Sequence, residues 1–389
     1  MSPAEDSPPR AWHIITSEYP PTVGGVSDHT YAVAASLARL HPVHVWCPPM
    51  SDAPSKADGV VVHATLSTFS PKHLRQLGAA LDRQQRPRRV FVQWVPQGFG
   101  YRSLNVGFAA WLAWRAWKKG DQIHMMVHEP FLPWSVKPAR FVAAFVHRVM
   151  LVLATRRATR IWLSTPSWEP LVRRFVPRGT PLAWLPVTAS TRSTREPSSL
   201  SGRHPHGSLT VGHFGTYSPL VTSILAPAID TVLEGSTASI LLVGRGSDIF
   251  GTRYVRDHPE AVDRVRATGE LSGDAIGPVL CSCDVMMQPY PDGVTARRTS
   301  TLTLLALGLP VVTNHGVLSE AFWGDSRSVA LVNAPSGRHI GQETVGLLAD
   351  ARRRRTLGAR GSEFYERQFD VRHSVALLES TESVSPNAA

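Results

Sequence analysis

The sequence predicts an α/β protein made of two domains, each built on a doubly wound parallel β-sheet. The chain has 389 residues, which is more than a single hydrophobic core usually accommodates. Short apolar runs alternate with segments of helical spacing in both halves, which is typical of parallel strands joined by helices. A polar stretch without periodicity, residues 188–208, predicts a linker. We therefore expect one domain at 11–190 and another at 205–362, with a C-terminal helix at about 364–382 that packs back on the first.

The first half opens as strand, glycine-bearing loop, helix and strand. Apolar runs at 12–16 and 43–46 predict the two strands, which together with the helix make a right-handed parallel unit. Gly24 and Gly25 stand where the loop meets the helix. Glycines there let the backbone approach a ligand at the positive end of the helix. A plain tight turn explains the pair equally well, so both interpretations stand.

Besides strands at 161–164 and 182–185, three further strands are predicted in the first half, at 60–63, 90–94 and 123–127. His128 and Glu129 follow directly after the last of them. Ligands of open α/β sheets bind at the carboxyl ends of the strands, so His128 is a candidate catalytic residue. A structural histidine with satisfied hydrogen bonds is an equally good interpretation from spacing alone.

The second half repeats the alternation of strands and helices. Glycines follow two of its predicted strands, Gly215 after the first and the turn 244–246 after the second. A short extended piece, 268–271, lies between two predicted helices. The strands themselves are predicted at 209–214, 239–243, 285–288 and 309–312.

Segment 285–313 carries the strongest chemical signal of the chain. Arg297 and Arg298, followed by two hydroxyl residues, stand at the start of a helix that Gly308 ends. The helix dipole, its unpaired amides and the forked guanidinium groups all favour an anion at this point. The segment therefore predicts a pocket for a phosphorylated ligand at the carboxyl end of a parallel sheet.

The net charge of +11 is unevenly distributed. Residues 83–168 include fourteen lysines or arginines and two acids, Asp121 and Glu129. Such a region suits a nucleic acid, an anionic membrane surface or an anionic substrate. No zinc-finger, aromatic-glycine RNA or basic-zipper pattern accompanies it, so we expect no nucleic-acid partner. Segment 137–160 predicts a basic helix that lies on a membrane surface or, equally, a solvated helix with one core face.

The cysteines and the apolar runs bear on the compartment. Three cysteines do not make a disulfide framework and fit a reducing environment, and the pair at 281 and 283 lacks a second pair that would complete a metal site. Residues 1–10 lack the apolar core of a signal peptide, and the apolar run 141–154 is expected to be too short to cross a bilayer. We expect a cytoplasmic protein, with peripheral attachment at the inner face of the membrane as the alternative.

Taken in order, the motifs resemble those of the GT-B glycosyltransferases, and within them of the family 4-like retaining enzymes. The resemblance covers most of residues 11–380. It rests on eight motifs in the right order: Y-P-P-T-V-G-G-V at 19–26, His128, T-P-S-W at 165–168, L-P-V at 185–187, V-G-R-G at 243–246, T-G-E-L at 268–271, P-Y-P-D-G at 289–293 and A-L-G-L-P-V-V-T at 306–313.

The resemblance implies two Rossmann-like domains that face each other across a cleft. It implies transfer of a sugar from an NDP-sugar donor to a hydroxyl of a lipid-linked glycan, a polysaccharide precursor or a small metabolite. It further implies retention of configuration. Because the sequence has no D-x-D metal motif, we expect no metal ion, and we expect no other cofactor. The residues it assigns are His128 and Asp292 for catalysis, Arg297, Arg298, Thr299, Ser300, Gly215, Arg245 and Gly293 for the donor and its diphosphate, Thr268, Gly269 and Leu271 for the base, and Gly24, Gly25 and Glu129 for the acceptor loop.

The chain departs from the family pattern in its donor segment. Asp292 stands near the first of two family glutamates, and Thr303 stands at the position of the second, counted back from Gly308. No lysine follows Lys137, so the family's phosphate lysine is missing, and the arginine pair is the natural substitute. Two alternatives therefore stay open: a sugar-nucleotide epimerase or hydrolase on the same fold, and a non-catalytic subunit that binds sugar nucleotides.

Overall fold

The computed structural model describes residues 10–22, 24–50, 56–100, 103–189, 209–271 and 273–380. The chain divides into two compact units. Unit 1 comprises Met1–Pro186 together with Val371–Ala389, and unit 2 comprises Val187–Asp370. Most of the predicted linker lies outside the described residues.

Unit 1 alternates strands and helices, as the apolar runs predict. Its strands are β1 Trp12–Ile15, β2 Val43–Cys47, β3 Lys56–Ala57, β4 Val60–Ala64, β5 Arg89–Trp94, β6 Gln122–Val127, β7 Arg160–Leu163 and β8 Leu182–Trp184. Its helices are α1 Gly25–Leu37, α2 Pro71–Asp82, α3 Val106–Trp114, α4 Pro138–Thr155 and α5 Glu169–Arg173, joined by the C-terminal helix Val371–Ser380.

The strands of unit 1 form one sheet in the order β3-β4-β2-β1-β5-β6-β7-β8. Every pairing is parallel except that of β3 with β4. The chain winds outward in both directions from β1, so the strand order reverses between β1 and β5. In a doubly wound sheet, this reversal opens a crevice at the carboxyl ends of the two strands.

Unit 2 repeats the architecture with six parallel strands. The strands are β9 Thr210–Phe214, β10 Ser239–Val243, β11 Val265–Ala267, β12 Val285–Gln288, β13 Val311–Asn314 and β14 Ala330–Val332. The helices are α6 Pro219–Gly235, α7 Ser247–Asp257, α8 Gly273–Leu280, α9 Thr299–Ala306, α10 Phe322–Asp325, α11 Gly337–Ala349 and α12 Ala351–Gln368, and the C-terminal helix of unit 1 is accordingly α13.

The sheet of unit 2 has the order β11-β10-β9-β12-β13-β14, and its order reverses between β9 and β12. Both units therefore show the doubly wound parallel sheet that the sequence predicts. Each encloses its own core of aliphatic and aromatic side chains from the strands and the helices that cover them.

The unit boundary at the C-terminus differs from the prediction. The predicted helix 364–382 is divided: residues up to Asp370 belong to unit 2, and only α13 belongs to unit 1. Phe364 and Phe369 explain the difference, because both rings pack against Trp323 of unit 2, with centroids 5.7 and 6.0 Å away. In unit 1, the Ser374 hydroxyl of α13 donates to the carbonyl of Pro186 at 2.7 Å.

Candidate ligand-binding edges of the two sheets

In unit 2, the crevice between β9 and β12 lies at the predicted position of the donor. The Gln288 side chain, buried at the end of β12, donates to the carbonyl of Phe214 at the end of β9, 2.9 Å away. This hydrogen bond ties the two strands together where the strand order reverses. The loops that follow β9, β10, β11 and β12 all begin at this edge, so ligand groups from them can converge.

Two glycine turns meet at this edge. The amide of Gly215 donates to the carbonyl of Val243 at 3.1 Å, and a Cβ at Gly244 would overlap the backbone of Gly215. Gly244 and Gly246 adopt φ values of 110° and 86°, which favour glycine. Side chains are thus excluded from the approach to α7, while Arg245 between the glycines is exposed.

The predicted base-binding residues adjoin the glycine turn. The Gly269 amide donates to the Ser247 hydroxyl at 2.9 Å, and its carbonyl accepts from the Gly244 amide at 3.2 Å. Thr268 extends the line of β11 by donating its amide to the Leu242 carbonyl, and Leu271 is half-buried two residues beyond Gly269. The residues predicted for the base therefore lie next to the glycine turn predicted for the donor phosphates.

The arginine pair stands at the start of α9, as predicted, and both side chains are half-buried. Arg298 is the residue that immediately precedes the helix, and its guanidinium carbon lies 4.5 Å from the centroid of the Tyr290 ring. The Tyr290 hydroxyl is in turn 2.8 Å from the hydroxyls of both Ser300 and Thr301. Stacking on a ring that is itself held in place fixes the plane of the guanidinium group.

Glu320 is a functional candidate that the sequence analysis missed. Its carboxylate accepts hydrogen bonds from the Ala296 amide at 3.1 Å and from the Trp323 indole at 2.9 Å, and its residue is only 8% exposed. The carboxylate thereby fixes the backbone immediately before Arg297. One acid in the loop after β13 offered no sequence signal, because its role depends on a contact with a loop 24 residues earlier.

The loop before the arginines is tightly packed. Gly293 has a φ of 88°, and a Cβ at this position would overlap the backbone of Gly316. Asp292 beside it has an exposed side chain, and its carbonyl accepts from the Leu318 amide at 3.1 Å. Thr303 is buried on α9, where its hydroxyl donates to the Thr299 carbonyl at 2.9 Å. The hydroxyl of Thr303 is therefore used within its own helix.

In unit 1, the corresponding edge holds a buried histidine pair. His128 follows β6, and its Nε2 donates to the side-chain oxygen of Gln93 on β5 at 2.6 Å. Because an amide oxygen only accepts, Nε2 of His128 carries the proton in this arrangement. The His29 ring on α1 stands edge-on to His128, with centroids 5.3 Å apart. Burial lowers the pKa of His29 to about 4, so it is neutral at pH 7.

Of the other residues predicted in unit 1, Glu129 brings a carboxylate to this edge, and Gly24 packs beside the carboxylate of Glu18. Gly24 precedes α1 and Gly25 begins it, and a Cβ at Gly24 would lie 2.7 Å from a carboxylate oxygen of Glu18. Glu129 accepts from the Gln97 amide group at 2.5 Å. Beside the predicted residues, this edge therefore presents imidazole and carboxylate groups, where unit 2 presents an arginine pair.

Two α/β units with seven and six parallel strands define the GT-B fold that the motifs predicted. Solved structures with this fold align over nearly the whole chain. Sucrose-phosphate synthase from Thermosynechococcus elongatus is 14% identical, with 96% of this chain and 98% of that chain covered and a TM-score of 0.70. HepE from Anabaena, in complex with UDP and glucose, is 15% identical over 96% and 99%, with a TM-score of 0.68.

WaaG, a glycosyltransferase involved in lipopolysaccharide biosynthesis, is 12% identical over 97% of this chain and 100% of its own, with a TM-score of 0.63. At such identities the likeness shows the fold. No protein-family model and no curated protein sequence matches the chain.

Proposed function

We propose that the protein is a glycosyltransferase that moves a sugar from an NDP-sugar donor to an acceptor hydroxyl. One observation carries the proposal. Arg298 is stacked on Tyr290 at the start of α9, and the preceding backbone is fixed by the buried carboxylate of Glu320. The guanidinium group of Arg298 is therefore oriented before a ligand binds, and it lies at the carboxyl edge of the sheet, where ligands of doubly wound sheets bind.

The chemistry of the leaving group explains why a preorganised arginine matters. When the bond between sugar and nucleotide breaks, negative charge develops on the diphosphate. Guanidinium groups and the positive end of α9 would stabilise that charge without reorganising, which is usually the largest catalytic term in such reactions. Arg297 and Arg298 supply these cations in our proposal, and we propose that no metal ion is needed.

The other loops of unit 2 complete the donor site in this proposal. The glycine turn at Gly244 and Gly246 leaves room for phosphate against the backbone, and Thr268, Gly269 and Leu271 receive the base. Asp292 lies at the exposed end of the arginine loop, where it would contact the sugar. HepE, which shares the fold, was solved with UDP and with UDP-glucose, which supports a nucleotide sugar as the ligand.

The acceptor belongs to unit 1 in this proposal. His128 is buried and its Nε2–H is held by Gln93, so its ring has a defined tautomer and orientation. We propose that His128 contacts the reacting hydroxyl of the acceptor, and that the anomeric configuration is retained. A lipid-linked glycan, a polysaccharide precursor or a small metabolite are the acceptor classes that fit.

A nucleotide panel tests the proposal. The melting temperature of the purified chain is measured with UDP, GDP, ADP and TDP, because a ligand that binds the native state raises its stability. We expect one nucleotide to stabilise the protein clearly more than the others. No stabilisation by any of the four would contradict a nucleotide-sugar site.

Turnover with the matching NDP-sugar then separates the three candidate functions. A transferase forms a glycosylated product with an acceptor panel, keeps its activity in EDTA, and releases little NDP when no acceptor is present. Rapid acceptor-independent release of NDP would indicate a hydrolase, and isomerised donor would indicate an epimerase. Nucleotide binding without any turnover would favour the non-catalytic subunit. This alternative is included because Thr303 stands where the family has a glutamate.

A further inference from the structure

Helix α4 exposes an apolar stripe to solvent. Its side chains recur at helical spacing along one face, and each is about half exposed. They are Phe141, Val142, Phe145 and Val152, at 51%, 53%, 56% and 43% exposure. An amphipathic helix in a soluble protein normally turns its apolar face inward, so this outward stripe needs a partner.

The opposite face of α4 is already used by the core of unit 1. His147, Met150 and Leu151 are fully buried there, and α4 packs alongside α3. The helix is long and apolar enough to cross a bilayer by length and composition, contrary to the expectation for 141–154. Crossing would require removing this buried face from the core, so the helix fits a position on the membrane surface instead.

Tryptophans on the segment before α4 and on the neighbouring helix α3 are exposed as well. Trp134, just before α4, lies with its ring centroid 4.9 Å from that of Phe141, and both rings are half exposed. Trp114 at the end of α3 and Trp117 in the turn after it are 43% and 60% exposed. Tryptophan is the side chain that most favours the boundary between lipid headgroups and hydrocarbon.

Cations surround this surface. Lys118 lies 3.9 Å above the Trp117 ring, and the ends of α4 carry further exposed basic residues. They are Lys137 and Arg140 at its start and Arg156 and Arg157 after its last turn. Such side chains can place their stems along apolar surface while their charges reach the headgroups.

No exposed acidic side chain accompanies them among the described residues between 83 and 168. Asp121 is fully buried, with Arg88 and Arg115 as partners at 2.8 and 2.6 Å. Glu129 is half-buried and accepts from Gln97. Asp82, just before this range, pairs with Lys119 at 2.9 Å. The exposed side chains of α4 and of its two ends are therefore apolar or basic.

We propose that unit 1 docks on an anionic phospholipid bilayer, with α4 lying in the plane of the headgroups. The apolar stripe and the tryptophans would enter the acyl boundary, and the lysines and arginines would contact lipid phosphates. A symmetric pairing of two copies through this face explains the observations less well. Such a pairing would bring Arg140 and Arg156 of one copy close to the same two arginines of the other copy. No acidic side chain of α4 would offset the repulsion between these like charges.

Vesicle sedimentation tests the docking surface with the full chain. Binding is measured to phosphatidylcholine vesicles and to vesicles with 30% phosphatidylglycerol, at low and at high salt. We expect strong binding to the anionic vesicles at low salt, and weaker binding at high salt because ions screen exposed charges. Absence of binding to anionic vesicles at low salt would overturn the proposal, as would equal binding to neutral vesicles.

Two variants assign the binding to this face. Phe141→Ser with Phe145→Ser should weaken vesicle binding by about 10²-fold, because two half-exposed rings no longer enter the lipid. Replacing Lys137, Arg140 and Arg156 by glutamine should also cost about 10²-fold, at roughly fivefold per charge near an anionic surface.

The matched control is Leu220→Ser with Ile249→Ser, which removes two exposed apolar side chains from unit 2. It should leave vesicle binding unchanged, and all variants should keep the melting temperature because the replaced side chains are exposed. Equal loss of binding in the control would overturn the assignment to α4. Concentration-dependent dimerisation that the phenylalanine variant abolishes, without vesicle binding, would instead assign the face to a second copy.

Discussion

The carboxyl edges of the two sheets share an architecture and differ in their chemistry. At the edge of unit 2, two glycine turns leave the backbone free of side chains, and Arg298, stacked on Tyr290, lies at the start of α9. At the edge of unit 1, the neutral His29 faces His128, and the carboxylates of Glu18 and Glu129 lie nearby. Both edges are what a doubly wound sheet offers for ligands.

The difference teaches that the fold determines where ligands bind, while local side chains determine which ligand binds. Cations with fixed orientation suit a diphosphate, whereas neutral imidazole with nearby carboxylates suits a hydroxyl group and disfavours an anion. Substitutions or conditions that alter one edge or one unit at a time therefore separate the two assignments.

The largest expected effect concerns acid. Burial lowers the pKa of His13, His29 and His124 in unit 1 to about 3, 4 and 3, and that of His213 in unit 2 to about 3. The unfolded chain takes up these protons near pH 6.5, so stability is present above that pH and is lost as the pH falls toward 4. At pH 5, each of these four histidines should lower the free energy of unfolding by about 1–2 kcal/mol. Burial also lowers the pKa of His44, His63 and His147 in unit 1, so unit 1 should lose at least three times as much as unit 2.

Tryptophan fluorescence measures this difference, because ten of the eleven tryptophans belong to unit 1 and Trp323 to unit 2. Denaturant titrations at pH 7 and pH 5 in a Trp323→Phe background report unit 1, and hydrogen exchange of the peptides from β9 to β13 reports unit 2. Equal destabilisation of both units would contradict the burial of these histidines.

The next effect separates the roles of the two edges. His128→Gln should lower kcat by about 10²-fold or more, in the range of lost acid–base assistance, while leaving the KM for the donor nearly unchanged. Steady-state kinetics with varied donor and acceptor measure this. The control is His124→Gln, which alters a buried histidine on β6, the strand that His128 follows, away from the edge. It should lower stability rather than kcat. A raised donor KM in His128→Gln would move His128 from the acceptor to the donor.

A smaller effect tests the packing of the arginine loop. Gly293→Ala should destabilise unit 2 by more than about 2 kcal/mol and weaken nucleotide binding. The energetic cost of a left-handed φ at alanine and the cost of the overlap with Gly316 add to each other. Gly120→Ala in unit 1 is the matched control, since its φ is 67° but its Cβ would meet open space. It should cost only about 1–2 kcal/mol. Denaturant midpoints compare the pair, and equal costs would contradict the contact with Gly316.

Much of this arrangement could be predicted from the sequence, because it is encoded locally. Strand ends and helix starts follow from apolar runs and glycines, which is why the positions of Gly244, Gly269 and Arg298 were predicted together with the doubly wound sheets. Gly308 indeed follows α9 with a φ of 69°, as a helix-ending glycine should.

What the sequence did not predict depends on contacts between distant segments. Glu320 reaches back to the Ala296 amide, and Tyr290 orients Arg298, although neither has a spacing pattern that indicates it. The assignment of residues 364–370 to unit 2 also depends on a distant contact, since Phe364 and Phe369 pack against Trp323. The outward stripe of α4 also required burial to be known, because periodicity does not tell which face is covered.

In our proposal, Arg298 holds the diphosphate of the donor. The direct measurement is the Kd for the preferred nucleoside diphosphate, by calorimetry, for the unmodified chain and for three variants. Arg298→Ala should weaken binding by about 10²-fold, and Arg298→Lys should restore only part of it, because lysine lacks the planar fork. Arg355→Ala, at an exposed position on α12 in the same unit, should have no effect. An unchanged Kd in Arg298→Ala would contradict the assignment of the donor to this edge.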